Sequence, residues 1–268
     1  MPQKRIAILT SGGDAPGMNA AIRAATLVGL AENARVFGVE RGYRGLIEGQ
    51  FRPLTTDDVS GIIQRGGTVL GSARSPEFTT REGRDHARAR LHDAQIDQVL
   101  VIGGNGSLTG AQALANRDEC GDRPIRVVGV PASIDNDVGY TRLSIGVDTA
   151  MNTIVEACDR ISDTAEAHDR AFIVEVMGRQ CGYLAMAASI AAGADIALFR
   201  ESGKTVDSIV DQVTQGILDI HARQPNRKIL IIKSEGVPIE ANVLRSRVEQ
   251  QLEAAGTHIE TRVTILGH

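Results

Sequence analysis

The stretch Ile8-Leu9-Thr10-Ser11-Gly12-Gly13-Asp14-Ala15-Pro16-Gly17-Met18-Asn19-Ala20-Ala21-Ile22-Arg23 decides the fold. Its start completes the aliphatic run Arg5-Ile6-Ala7-Ile8-Leu9, long enough for one buried strand. Its end opens Met18 to Leu30, a helix-length segment. Between them lies a turn with three glycines. Glycines let the backbone approach a ligand, and a following helix aims free N–H groups and a positive dipole end at it. Such a turn can cradle phosphate without a basic side chain, and it can equally serve as a plain tight turn. No Gly-Lys-Ser/Thr follows, so it is not a Walker motif.

The same alternation continues outward. Strand-length runs recur at Arg35 to Val39, Gln98 to Ile102, Ile125 to Val130, Ala171 to Val176, Ile196 to Phe199, Lys228 to Ile232 and Arg262 to Leu266. Helix-length stretches separate most of them. Val206, Ile209, Val210, Val213, Ile217, Leu218 and Ile220 fall at helical spacing within Val206 to Arg223. Alternating strands and helices predict an α/β protein with mainly parallel sheets covered on both faces. With 268 residues there is room for two doubly wound, Rossmann-like three-layer domains, which we place at 1–139 and 140–268.

Two further strands end in turns of the same character. One reads Gly103-Gly104-Asn105-Gly106-Ser107, the other Pro131-Ala132-Ser133-Ile134-Asp135-Asn136-Asp137. In open α/β sheets the ligand crevice lies at the carboxyl ends of strands, so three such turns converge on one candidate site. Two glycine turns suit a polyphosphate. Asp135 and Asp137 stand two apart, so an extended segment would send both carboxylates to one side. One could then accept a proton from a hydroxyl while the other helps hold a metal.

Composition narrows the class. The chain is 42% hydrophobic and 23% charged, with 3% aromatics, no Trp and a net charge of −4. The core must therefore be aliphatic, and well-mixed charges offer no basic face for nucleic acid. Gly182 to Phe199 is the longest weakly polar stretch, but it is rich in Ala and Gly and contains Asp195, which makes a poor membrane span. Cys120, Cys158 and Cys181 have no paired spacing and read as free thiols of a reducing, cytoplasmic compartment. The first residues run straight into a strand without the apolar stretch of a signal peptide.

Taken together, these motifs resemble the phosphofructokinase family in its ATP-using form. The resemblance begins with Ile8 to Arg23 and continues through Arg65-Gly66-Gly67-Thr68 and Leu70-Gly71-Ser72-Ala73-Arg74. It runs on through Ile102 to Ser107, Ser133 to Asp137 and Val174-Glu175-Val176-Met177-Gly178-Arg179, and ends with Glu260 to His268. It covers essentially the whole chain, in order. It implies transfer of a phosphoryl group from ATP to the 1-hydroxyl of fructose 6-phosphate, with Mg2+. By resemblance, Gly13, Tyr43, Arg74, Ser75, Gly106 and Ser107 line the nucleotide. Asp135 is the general base, Arg179 stabilises the transferring group and Ser133 hydrogen-bonds it. Asp137, Met177, Gly178 and Glu235 face the sugar, while Arg170, Arg262 and His268 bind its 6-phosphate. In the family the two arginines come from a neighbouring subunit, which implies a homo-oligomer, usually a tetramer.

The departures are as informative. Asn105 stands where the family carries an aspartate that helps hold magnesium, so the implied metal pair is Asp137 with Asn105. Pyrophosphate-using relatives typically carry Asp at position 106 and Lys at 132; Gly106 and Ala132 here point to ATP. Leu27 and Ser162 replace effector-site arginines, while Arg23, Arg227 and Lys228 remain. Family members continue past His268 with a further substrate arginine, so the resemblance implies a missing C-terminal segment. Two other readings keep the fold: a pyrophosphate-dependent enzyme, and a catalytically silent regulatory homologue.

Overall fold

The computed structural model describes residues 3–121, 123–167, 170–225 and 227–267. The chain forms two compact units, Met1–Gly146 and Val147–His268. The division falls at Gly146 rather than at 139, because the intervening residues pack back on the first unit. Ile145 donates its N–H to the Pro131 carbonyl at 3.0 Å, and the Gly146 Cα lies too close to Ala15 to carry a methyl group freely.

The first unit runs β1 (Arg5–Ser11), α1 (Met18–Ala31), β2 (Arg35–Val39), α2 (Gly42–Glu48), β3 (Phe51–Pro53), α3 (Arg81–Asp93), β4 (Gln98–Gly103), α4 (Asn105–Leu114), α5 (Arg117–Cys120) and β5 (Arg126–Pro131). Its sheet has the order β3-β2-β1-β4-β5, parallel except for β3. Alternate residues of β1 feed opposite faces, as the two-residue period of a strand requires. Ala7 and Leu9 join Leu46, Leu91 and Leu114 from α2, α3 and α4. Ile8 joins Met18 and Ile22 of α1 together with Leu54, Val59 and Leu70. The β3 strand went unseen in the sequence: three residues with a proline suit only an edge, which is where it pairs.

The second unit runs α6 (Val147–Ala167), β6 (Ala171–Val176), α7 (Tyr183–Ala192), β7 (Ile196–Leu198), α8 (Val206–Arg223), β8 (Ile229–Ser234), α9 (Ala241–Ala254) and β9 (Thr261–Ile265). Its all-parallel sheet has the order β7-β8-β6-β9. The apolar stripe of α8 buries Ile209, Val210, Val213 and Ile217 against Ile173, Ile229 and Ile231, and α9 adds Leu244 and Val248. Thr205 caps α8 by accepting the Ser208 N–H, with Asp207 at the positive end and Arg223 at the negative end. α6 and α7 touch the sheet through β6, β7 and β8. Both units therefore have the expected doubly wound α/β character. No described helix is long and apolar enough to cross a membrane.

One charged pair lies inside the second sheet. Lys233 is 1% exposed and sits directly across from Glu175 in the β6–β8 register. Its ammonium donates to Glu175 Oε2 at 2.7 Å and to the Ser234 carbonyl at 3.2 Å. Removing one partner strands a buried charge, whereas replacing both with apolar groups of similar volume is nearly neutral. Lys233→Ala is therefore expected to cost about 3–5 kcal/mol, and Lys233→Met with Glu175→Leu much less. Urea denaturation midpoints check this: equal losses in the two proteins would show that the pairing is not what holds the register.

Candidate phosphate and sugar site

Register brings three turns of the first unit together. Ser11 of β1 lies beside Gly103 of β4, and Gly103 beside Pro131 of β5, so the three turns leave the sheet at one level. A Cβ at Gly103 would come within 2.5 Å of the Ser11 carbonyl oxygen and 2.6 Å of the Ser107 Cβ. Gly12, with φ +87°, has the Ser107 Oγ only 3.2 Å from where its own Cβ would stand. The first and second turns thus touch.

The two glycine turns present backbone differently. α1 starts at Met18, as expected, with Gly17 as its N-cap at the end of the first turn. α4 starts at Asn105, straight after β4, with Gly104 as its N-cap. The N–H groups of its first turn have no partner within the helix, and the positive dipole end adds to them. Gly106 sits here with nothing within 4 Å of its Cβ position, and Gly13 is equally open. Both residues are exposed, with open space beside the backbone.

Several polar side chains to which the sequence assigned no role hold this surface. Asn19, 1% exposed, donates to the Arg65 and Gly66 carbonyls at 2.9 and 3.2 Å and accepts the Val69 N–H at 2.8 Å. Thr10 shares a 2.8 Å hydrogen bond with Thr68, and Ser72 donates to the Gly12 carbonyl at 2.7 Å. Together they bring the 65–74 loop, and so exposed Arg74 and half-buried Ser75, beside the first turn. Tyr43 bonds to the second turn. It is 5% exposed, stacks on Phe78 with ring centroids 4.0 Å apart and donates to the Ser107 carbonyl at 2.6 Å. Burial raises its pKa, so the phenol stays protonated as that donor. It supports the second turn from beneath.

The third turn corrects one expectation. Residues 133–137 are not extended: Asn136 adopts φ +53° and its N–H reaches the Ser133 carbonyl at 3.2 Å. Ser144 Oγ accepts the Ser133 N–H at 2.8 Å, and Asn136 Oδ1 accepts the Ser144 N–H at 2.9 Å. Asp137 is consequently folded back. Its Oδ1 accepts from Ser133 Oγ at 2.9 Å and its Oδ2 from Asn105 Nδ2 at 2.9 Å. Asp135 is half-buried in the same turn. Asn105 and Asp137 are brought together, as the sequence suggested, but as donor and acceptor. Asn105 presents its amide nitrogen, and both Asp137 oxygens already accept. The described residues contain no group of three His, Cys, Asp or Glu suited to a metal. The pair does not fit a prebuilt magnesium site, for which carboxylate and water oxygens are preferred.

The second unit carries Met177, Gly178, Arg179 and Glu235. The turns after β6 and β8 interlock. Gly178, with φ +123°, donates its N–H to Glu235 Oε1 at 3.3 Å, and its carbonyl accepts from the Gly236 N–H at 3.3 Å and from Ser234 Oγ. A Cβ on Gly236 would stand 2.2 Å from the Arg179 carbonyl. Half-buried Met177 and exposed Arg179 and Glu235 extend from this knot. Elsewhere on the unit, Glu260 bonds both Arg170 and Arg262. The Arg170 bond, chiefly, holds the Glu260 carboxyl below the usual carboxylate range. Those two arginines are therefore already gathered around one anion. His268 lies outside the described residues.

Gly103 and Gly106 make a direct test of the close approach. Gly103→Ala is expected to lose about 1–3 kcal/mol through overpacking, whereas Gly106→Ala should stay within about 1 kcal/mol of the parent. Thermal denaturation of both measures it; a harmless Gly103→Ala would mean that the turns are not in contact.

The Phosphofructokinase family model matches residues 5–268. An ATP-dependent 6-phosphofructokinase of Thermotoga neapolitana is 44% identical over 265 residues, covering 99% of this chain and 78% of that protein. One from Clostridium botulinum is 45% identical with the same coverage. Among solved structures, the phosphofructokinase of Saccharomyces cerevisiae superposes with a TM-score of 0.88 at 38% identity, over 99% of this chain and 38% of that one. The T-state enzyme of Pichia pastoris gives 0.89 at 36%, and this chain spans 30% of it. A pyrophosphate-dependent phosphofructokinase of Marinobacter aquaeolei shares the fold, with a TM-score of 0.79 at 22% identity.

Proposed function

The chain belongs to the phosphofructokinase family, and on that footing we propose that it transfers the terminal phosphoryl group of ATP to the 1-hydroxyl of fructose 6-phosphate, a kinase step of glycolysis. The observation that carries this reading is the alignment of three turns at Ser11, Gly103 and Pro131, with open backbone donors beside a carboxylate-bearing turn. Phosphoryl transfer needs mainly positioning and electrostatic stabilisation, which such a set of residues can provide.

In this reading the nucleotide phosphates lie on the backbone of Gly13, Gly106 and Ser107, with Arg74 offering a bidentate cation and Ser75 a hydroxyl. Tyr43 keeps the second turn in place. The 1-hydroxyl of the sugar gives its proton to Asp135 as its oxygen bonds to the γ-phosphorus and the bond to ADP breaks. Ser133 orients the transferring group, and Arg179 offsets the charge that grows on it. Glu235, Met177 and Gly178 position the sugar, with Asp137 facing it from the third turn. Arg170, Arg262 and His268 take the 6-phosphate.

The reading also implies magnesium, which neutralises charge on transferring phosphates when bound. Since Asn105 and Asp137 do not form a ligand pair as they stand, every step above rests on the chain's own residues. ATP is favoured over pyrophosphate because the Cβ position of Gly106 is open where an aspartate would crowd and repel an α-phosphate, and because Ala132, 2% exposed, leaves no lysine there. Exposed Arg262 lies on β9, the edge strand of its sheet, which supports service to a neighbouring subunit in a homo-oligomer, a tetramer. Free cysteines suit a cytoplasmic setting.

The test is formation of fructose 1,6-bisphosphate with magnesium and either ATP or pyrophosphate. We expect turnover with ATP and about 10²–10⁴-fold loss of kcat in Asp135→Asn, with thermal stability retained. Turnover with pyrophosphate alone would overturn the donor assignment. No product from either donor, with sugar phosphate still bound, would leave a silent regulatory homologue.

A further inference from the structure

The hydrogen bond between Asn105 and Asp137 deepens the reading above, on which its relevance to catalysis rests. Asn105 Nδ2 lies 2.9 Å from Asp137 Oδ2 and 3.1 Å from the Asp137 carbonyl oxygen. Both neighbours are oxygens that accept, one of a carboxylate and one of a carbonyl. The reverse orientation would place the amide oxygen against two oxygens, so the NH2 group must face them. The Ser133 hydroxyl supplies a further donor to Asp137 Oδ1 at 2.9 Å. The two residues are 32 apart in sequence, and their bond ties the start of α4 to the third turn.

An aspartate at 105, the same size as asparagine, would instead set two carboxylates about 3 Å apart. Such a pair cannot both stay ionised unless a cation lies between them; otherwise one of them takes up a proton. A divalent ion would be the natural bridge, since hard cations seek carboxylate oxygens. Asparagine removes that need by donating across the same gap.

We propose that Asn105 is a positioning residue that replaces a metal bridge. Its amide closes the second turn onto the third and occupies Asp137, so the free protein is organised without a divalent ion. A single change, Asn105→Asp, converts the closed pair into a cation site.

The proposal is tested by titrating Mn2+ into the parent, Asn105→Asp and Asn105→Asp/Asp137→Asn without nucleotide or sugar, by calorimetry and by electron paramagnetic resonance of free Mn2+. Melting is followed alongside in EDTA and in Mn2+. The parent should show no saturable Mn2+ binding at this loop, with the same Tm in both media. Asn105→Asp should gain one site at least ten-fold tighter than any in the parent, with a Tm lowered in EDTA and restored by Mn2+. The double variant should lose that site. Asn105→Ala, which has neither donor nor carboxylate, should lose stability equally in both media. Saturable binding by the parent that Asp137→Asn abolishes would overturn the proposal. So would Asn105→Asp binding no tighter than the parent, or Mn2+ restoring Asn105→Ala. Because nothing turns over in these titrations, their failure is separate from failure of the kinase assay.

Discussion

Everything at the candidate nucleotide site depends on how closely β1 and β4 approach at their carboxyl ends. Parallel strands hold neighbouring backbones at a fixed spacing, and here the register puts Ser11 beside Gly103 and Gly103 beside Pro131. Only glycine fits at 103, because any side chain would press on the Ser11 carbonyl. That contact sets the first turn against Ser107, and α4 therefore begins where the first turn ends. In the proposed reading the donors to phosphate are backbone groups held in place by the sheet.

The second unit uses the same device with different chemistry. Gly178 and Gly236 let the turns after β6 and β8 cross at backbone distance. The Lys233–Glu175 pair sits one step inside, at the ends of the strands that carry those turns. Charge is thus used sparingly in the core and left outside for Arg179 and Glu235. At the sheet edge, Glu260 keeps Arg170 and Arg262 gathered.

Much of the fold was legible because buried parallel strands must be continuous aliphatic runs. Arg35–Val39, Ala171–Val176 and the helix Val206–Arg223 lie where the pattern put them. β3 was not legible, since Phe51–Pro53 has neither length nor alternation. At the site, residue types and turns were readable, but their partners were not. Asn19, Thr10 and Ser72 act on carbonyls and hydroxyls 46 to 61 residues away, which no local spacing encodes. The extended geometry expected for Asp135 and Asp137 failed because Asn136 tolerates the left-handed region and reverses the chain. Asn105 was visible as a departure, while its bond to Asp137 became visible only once both turns were placed.

The central claim is that the two glycine turns, at Gly13 and at Gly106-Ser107, form one polyphosphate cradle built from backbone. A crystal structure of the protein with a non-hydrolysable ATP analogue tests it most directly. The account predicts the analogue's phosphates within hydrogen-bond distance of the N–H groups of Gly13, Gly106 and Ser107, with Arg74 alongside. Phosphates bound elsewhere, with those N–H groups still facing solvent, would contradict it.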